Sequence, residues 1–349
     1  MITAYVRTDD RLHALPLEAG ADMPAGTVWL DVLRPEEAER EDISTRLGVD
    51  LPTQEDMREI EASSRLYTED DAAYLTTPVM SRGEDGRPDL GMLTFVLTPT
   101  VLITVRHTEP LWLAIFAARA LRQPGLVTGH LDAMLGILEA VVDRAADVLE
   151  IVRGELDQLS QQVFSELDER GPAKPHGRQH ESRKRQAVKR RQEKRKAESD
   201  ALRGVITAIG RAGDLTHKVR DSLAGLERLG AFAVAVAGPR MAKDQKLRLK
   251  TISRDVHSLV EHAGFQAMQT NFLLDATLGV INIQQTNIIK IFSVAAVAFL
   301  PPTLIASIYG MNFEYMPELS KVWGYPVALV LMVISAVLPL WYFKRKKWL

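Results

Sequence analysis

Along the chain, the rhythm of hydrophobic and polar positions changes twice. The first 110 or so residues carry short runs rich in β-branched and aromatic side chains: Ile2–Arg7, Thr27–Val32, Ala73–Met80 and Leu93–Val105. Such runs predict strands, and Thr98-Pro99-Thr100 divides the last into a hairpin. Pro35-Glu36-Glu37-Ala38 places a proline and acids in one first turn and predicts a helix start. Together these predict an α/β/α sandwich over residues 1–125, with helices covering a sheet. Beyond Leu111 the period becomes helical. Leu138, Val142, Ala145, Leu149, Val152, Leu156, Leu159 and Val163 recur at helix spacing. A second long helix over about Ser182 to Leu229 would pair antiparallel with the first, filling 126–240. No proline interrupts Pro239 to Pro301, so a stalk helix over 241–290 can run on without a break. About 60 residues of helix span about 90 Å.

The second change comes at the C-terminus. Ile291 to Tyr309 is 19 residues without a charge, and Pro326 to Phe343 is 18 more. A helix of about 20 apolar residues crosses a bilayer, so each stretch is slightly short and gains from a flanking turn. A pair of buried core helices is the competing reading, weakened by the short intervening loop and the basic tail. Membrane helices are predicted over 291–311 and 326–343, with a loop over 312–325. The tail over 344–349 holds Lys344, Arg345, Lys346 and Lys347, whereas the loop holds Lys321 against Glu314 and Glu318. Cations beside a span mark the cytoplasmic side, which puts both termini inside. Trp323, Tyr325, Trp341 and Tyr342 fall where interfacial aromatic belts belong. The chain is therefore expected to be a multi-pass protein of the cytoplasmic (inner) membrane. The start, Met1-Ile2-Thr3-Ala4-Tyr5, has no basic stretch followed by an apolar run, so no secretory signal is expected there.

Counting by threes and fours up the stalk gives a heptad seam: Phe265, Met268, Phe272, Asp275, Gly279, Asn282, Thr286, Ile289, Ser293, Ala296, Leu300, Thr303, Ser307 and Gly310. Its lower part is large and apolar; its upper part is mostly small or hydroxylic. Small residues let membrane helices approach closely. The same set would line a narrow hydrated pore, with Ile289 and Leu300 as hydrophobic constrictions. Spacing alone does not separate pore from packing. Asp275 is costly on a packed seam unless it meets water or a cation, and a ring of such carboxylates selects cations. A solvated stalk residue is the alternative. Pro301-Pro302 frees backbone carbonyls inside the first span, and in lipid these need partners from neighbouring helices or water.

Composition narrows the classes. With no cysteine, disulfide scaffolds and thiolate metal sites are excluded. The net charge of −2 says little, but Lys174 to Lys196 carries 11 Lys or Arg residues. No aromatic residue interleaves there, so nucleic acid is not an expected partner. A solvated tip or contact with anionic lipid remains for that segment. No phosphate-binding glycine loop, zincin helix or nucleophile elbow occurs, which argues against an enzyme.

One block is specific. Tyr309-Gly310-Met311-Asn312-Phe313-Glu314-Tyr315-Met316-Pro317-Glu318-Leu319 resembles the signature of CorA-type magnesium channels almost letter for letter. Ile288–Phe292, Phe299–Leu304 and the closing Phe343–Leu349 are similar to that family too, and the N-terminal part more loosely, through Trp29-Leu30-Asp31 and Glu61–Arg65. The resemblance implies a homo-pentamer whose first span lines the pore, with Gly310, Met311 and Asn312 at the outer mouth. It implies Mg2+ as the transported ion and again as an intracellular regulator; outer-shell recognition would tolerate hydrated cobalt and nickel too, and the sequence does not rank the three. Magnesium sheds its water reluctantly, so carbonyls and Asn312 oxygens would hold the hydrated ion; a helix cap is the alternative role for Asn312. Glu314 and Glu318 would concentrate cations nearby. A seam position often asparagine in the family is Thr286 here, with Asn282 one turn below. Asp89, Asp255 and Glu261 are the candidate regulatory carboxylates, chosen on charge and rough location. The alternatives are a proton-coupled zinc transporter of the related ZntB type and a membrane-tethered sensor. The eight histidines are scattered, and His257 and His262 do not share a helix face.

Overall fold

The structure is a computed structural model. It describes all residues except 19, 60, 84–85, 169–180, 312–322 and 347–349, and of residues 62, 166–168 and 181–199 the backbone alone. The strands are β1 (Ile2–Thr8), β2 (Arg11–Leu17), β3 (Thr27–Leu33), β4 (Leu66–Glu69), β5 (Ala72–Arg82), β6 (Pro88–Leu97) and β7 (Leu102–Arg106). The helices are α1 (Glu37–Leu47), α2 (Gln54–Arg58), α3 (Ala62–Arg65), α4 (Leu111–Arg122), α5 (His130–Asp168), α6 (Glu181–Val236), α7 (Lys243–Tyr309) and α8 (Gly324–Arg345). The chain divides into two compact units, Met1–Leu274 and Asp275–Leu349.

In the first unit the strands form one sheet in the order β2-β1-β3-β7-β6-β5-β4. β3 and β7 run parallel, Asp31 opposite Thr104; the remaining neighbours are antiparallel. One face packs Ala4, Leu30, Val32, Val96, Ile103 and Val105 against Ile43 of α1 and Met57 of α2. The other carries Tyr5, Trp29 and Thr77. Trp29 meets Phe116 of α4 with ring centroids 5.9 Å apart. Thus the sheet is covered on both faces, the predicted α/β/α sandwich. β5 is buried from Ala72 to Met80, which explains why its residues show no alternation of apolar and polar.

The long helices follow their apolar stripe. All eight α5 positions named from periodicity are buried, Leu156 and Val152 completely. Gly213 and Gly230 of α6 lie beside Thr270 and Ser253 of α7, so these two helices are antiparallel. Asp132 and Leu149 of α5 bond Arg248 and Gln266 of α7, so α5 runs with α7 and opposes α6.

α6 reaches β5 only because residue 225 has no side chain. A Cβ there would stand 2.5 Å from Thr77 Oγ1 and 2.8 Å from Pro78 Cδ. One turn earlier, the Ser222 hydroxyl donates to the Pro78 carbonyl at 2.9 Å. Gly225→Ala is therefore expected to cost about 1–3 kcal/mol through overpacking, despite the better helix propensity of alanine. Urea unfolding of the full chain checks this; a stability equal to or above wild type would show that the contact yields freely.

In the second unit α7 ends at Tyr309 and α8 follows the undescribed 312–322 segment. Both helices hold an apolar window long enough to cross a bilayer, and only 6% of each window is buried. Core helices of one chain would be covered within it, which weighs against that competing reading. α7 stays helical through Pro301 and Pro302. In α8 the Arg345 guanidinium lies 5.6 Å from the Trp341 ring centroid, stacking a cation on an aromatic at the helix end.

Candidate conduction seam and carboxylate sites

On a helix each residue turns about 100°, so the seam positions of α7 lie along one stripe. Val294 and Ala298, buried in this unit, fall on the roughly opposite stripe. The seam itself is open: Asp275, Asn282, Thr286, Ala296, Thr303 and Ser307 are exposed, and Ser293 is partly exposed. Ile289 and Leu300 are 63% and 66% exposed, leaving large apolar side chains uncovered within one chain.

The seam threonines have a definite polarity. The Thr286 hydroxyl donates to the Asn282 carbonyl at 2.8 Å, and the Thr303 hydroxyl to the Phe299 carbonyl at 2.7 Å. With its one hydrogen used inside the helix, each oxygen presents only lone pairs outward. A hydrated cation presents water hydrogens, so such acceptors suit it.

At the helix end the Gly310 N–H donates to the Ala306 carbonyl at 3.0 Å and the Met311 N–H to the Ile308 carbonyl at 3.2 Å. Both residues close α7. Asn312, Glu314, Glu318 and Lys347 lie outside the described residues. Lys344 and Arg345 form the last turn of α8, and Lys346 follows it. Of the basic 174–196 segment, residues 181–196 belong to α6 and the remainder lies outside the described residues.

The three proposed regulatory carboxylates occupy different places in the first unit. Asp89, on β6, is held 3.3 Å from Lys218 Nζ, which also contacts Asp214 at 3.2 Å and the Pro88 carbonyl at 3.3 Å. Burial works against the Lys218 charge, but hydrogen bonds to Asp214 and Asp89 outweigh it and hold its pKa above the usual range. Asp255 and Glu261 are exposed on α7. Glu261 lies 3.9 Å from His257, which bonds Glu227 at 3.1 Å. Asp255 adds to an acidic surround of Asp143, whose pKa is raised by burial first and then by Asp147, Glu139 and Asp255, against Arg119. Among the described residues no three His, Asp or Glu side chains gather as a metal-holding group. Lys218, which sequence reasoning did not single out, has no periodicity or motif that would announce it.

Comparison with known proteins gives the family. The profile of the CorA-like Mg2+ transporter protein family matches residues 24–191 and 184–345. The magnesium transport protein CorA of Yersinia pseudotuberculosis is 34% identical over 350 residues, covering 100% of both chains. CorA of Pectobacterium atrosepticum is 33% identical and that of Escherichia coli K12 31%, each again over 100% of both chains. Among solved structures, the CorA magnesium transporter of Methanocaldococcus jannaschii superposes with a TM-score of 0.72 at 16% identity, covering 100% of this chain and 99% of that one. The ZntB cytoplasmic domain of Vibrio parahaemolyticus covers 80% of this chain and 97% of its own, with a TM-score of 0.55 at 10% identity, a likeness of fold alone. By its sequence from end to end, and by a fold that ends in two apolar helices, the chain belongs to the CorA-like Mg2+ transporter family.

Proposed function

We propose that this chain is one subunit of a homo-oligomeric channel, a pentamer, that admits hydrated Mg2+ under the membrane potential. The observation that carries the reading is the open seam of α7. Its threonine oxygens are turned into pure acceptors, its Leu300 and Ile289 are uncovered, and Val294 and Ala298 on its far side are buried. Copies of α7 around an axis would cover that seam and enclose a narrow path of acceptors broken by apolar rings.

In this reading α7 crosses the cytoplasmic membrane over 291–311 and α8 over 326–343, with 312–325 outside and both termini inside. Gly310, Met311 and Asn312 hold the hydrated ion at the outer mouth, and Glu314 and Glu318 raise the local cation concentration. Asp275 forms a carboxylate ring lower on the seam. Hydrogen bonding through the ion's own water tolerates Co2+ and Ni2+ as well. Cytosolic Mg2+ acting on Asp89, Asp255 and Glu261 closes the channel; Mg2+ at Asp89 would have to displace Lys218. Lys344, Arg345, Lys346 and Lys347 form a basic ring at the inner surface, and the basic 174–196 segment meets anionic lipid.

The test is influx into liposomes loaded with a magnesium-sensitive dye, under an inside-negative potential. Mg2+ influx that rises with potential and falls at least tenfold in Asn312→Ala is the expected result. Zn2+ uptake that requires a proton gradient, without Mg2+ flux, would move the protein to the ZntB type of transport. No flux of any ion, in protein shown to be folded and oligomeric, would leave a sensor or anchor.

A further inference from the structure

A second site lies in the first unit and does not depend on the transport reading. His107 and Thr108 follow the end of β7 and line a cavity of about 80 Å3 beside α2. That is several times the roughly 10–15 Å3 one water needs. The cavity is also lined by Gln54, Met57 and Arg58 of α2 and by Gly91 of β6. His107 Nε2 and Thr108 Oγ1 are both buried and both lack a hydrogen-bond partner among the described residues. Two orphaned polar atoms on residues that line one cavity call for a partner, because buried polar groups are nearly always satisfied.

The character of the lining selects its charge. Among the described residues no carboxylate lines the cavity. The Thr108 hydroxyl, the Gln54 amide, the Arg58 guanidinium and, in one tautomer, the His107 Nε2–H can all donate. Burial, and then Arg58, Arg34 and Arg40, push the His107 pKa below its usual value, so the imidazole is neutral at pH 7 in a positive field. Arg34 also donates from Nε to the His107 carbonyl at 3.0 Å. Two of these arginines have acidic partners, neither of which lines the cavity: Glu109 lies 3.4 Å from Arg34 and Glu37 3.9 Å from Arg40. Glu55, Glu59 and Glu61 share a separate surface cleft with Arg58. A cation would find no anionic ligand in this cavity, whereas an anion would find donors.

We propose that the cavity binds a small phosphate-type oxyanion, held by Arg58, Gln54, His107 and Thr108. The occupant is either free inorganic phosphate or the terminal phosphate of a nucleotide. Gly91 keeps the site open: a Cβ there would stand 2.3 Å from Thr108 Oγ1 and drive that side chain from its place.

The test uses the full chain in detergent, without Mg2+. Radiolabelled inorganic phosphate in equilibrium dialysis should bind saturably, one ion per chain, and at least tenfold more weakly in Arg58→Met and His107→Phe. Thr108→Val, isosteric but lacking the hydroxyl, should unfold no lower than wild type in chloride and lose the rise in Tm that phosphate gives wild type. Competition by excess ATP as strong as by excess unlabelled phosphate would assign the nucleotide source; competition by phosphate alone would assign the free ion. Absence of saturable binding would overturn the proposal and leave a cavity that holds water only. Binding unchanged in all three variants would overturn it equally, placing the anion elsewhere on the chain.

Discussion

Asp31→Ala is expected to lower the stability of the first unit by about 3–5 kcal/mol, a large share of the roughly 5–15 kcal/mol that holds a typical domain. Asp31 sits on β3, paired with Thr104 of β7, in the parallel pair near the centre of the sheet. Its carboxylate takes a fork from Arg106, Nη2 to Oδ2 at 2.8 Å and Nε to Oδ1 at 3.0 Å, and accepts the Thr104 hydroxyl at 2.8 Å. Thr104 Oγ1 in turn accepts from the Trp29 indole at 2.9 Å. The side chains of Arg106 and Asp31 are 13% and 7% exposed, so the pair is nearly out of water. Removing the carboxylate leaves a guanidinium nearly out of water, holding its bond to the Thr108 carbonyl but without its anion. It also leaves the Thr104 hydroxyl without its acceptor. Asp31→Asn, which keeps an acceptor oxygen, should lose less. Asp31→Leu with Arg106→Met should recover much of the loss, because two apolar groups need no partner. Urea unfolding of the full chain, followed by tryptophan emission, reads all four proteins. A loss below about 1 kcal/mol in Asp31→Ala would show that Arg106 finds other partners.

The same sheet shows where sequence reasoning reaches and where it stops. Central strands announce themselves, because burial on both faces demands apolar β-branched and aromatic side chains. The two edge strands were not expected. β2 buries only Leu12 along its length and carries Pro16, which an edge tolerates. β4 is four residues long and has no buried position. Their pattern is that of a loop, since neither face of these strands is buried enough to impose an alternation. A local signal was nonetheless present. Each edge strand joins its neighbour through an aspartate pair, Asp9-Asp10 with φ of 48° and 62°, and Asp70-Asp71 with φ of 44° and 63°. Two successive left-handed residues make the turn whose twist matches a hairpin, and aspartate is among the few residues that tolerate it. Reading Asp-Asp as a hairpin turn would have found both strands.

The helical part was legible for the opposite reason. α5 buries a single stripe at regular spacing, and the proline-free interval before Pro301 foretold one helix from Lys243 onward. The ionic contacts were not legible. Lys218 meets Asp89 across 129 positions of sequence, and His107 acquires its positive surround from α1, α2 and the residue after β3. Such encounters are made by topology, and no local pattern encodes them.

Leu300 carries the largest functional expectation. In the proposed pore it stands one seam position before Thr303, an acceptor, and one after Ala296, a small side chain. A ring of leucines there would be the apolar constriction between wet segments. An ion crossing it must do so with its water, and an apolar ring too narrow for that water empties and shuts the path. Leu300→Ser should wet the ring and raise resting Mg2+ influx at least tenfold, a change equivalent to about 1.4 kcal/mol in the barrier. The increase should persist at high internal Mg2+, where in the proposed reading the wild type closes. Leu300→Ile, of equal volume and polarity, should stay near wild type, so that a rise in both variants would point to general loosening of the helix bundle. The dye-loaded liposome assay measures these rates. Flux unchanged in Leu300→Ser would place the constriction elsewhere, and Ile289, three turns lower on the seam, is then the next apolar ring to replace.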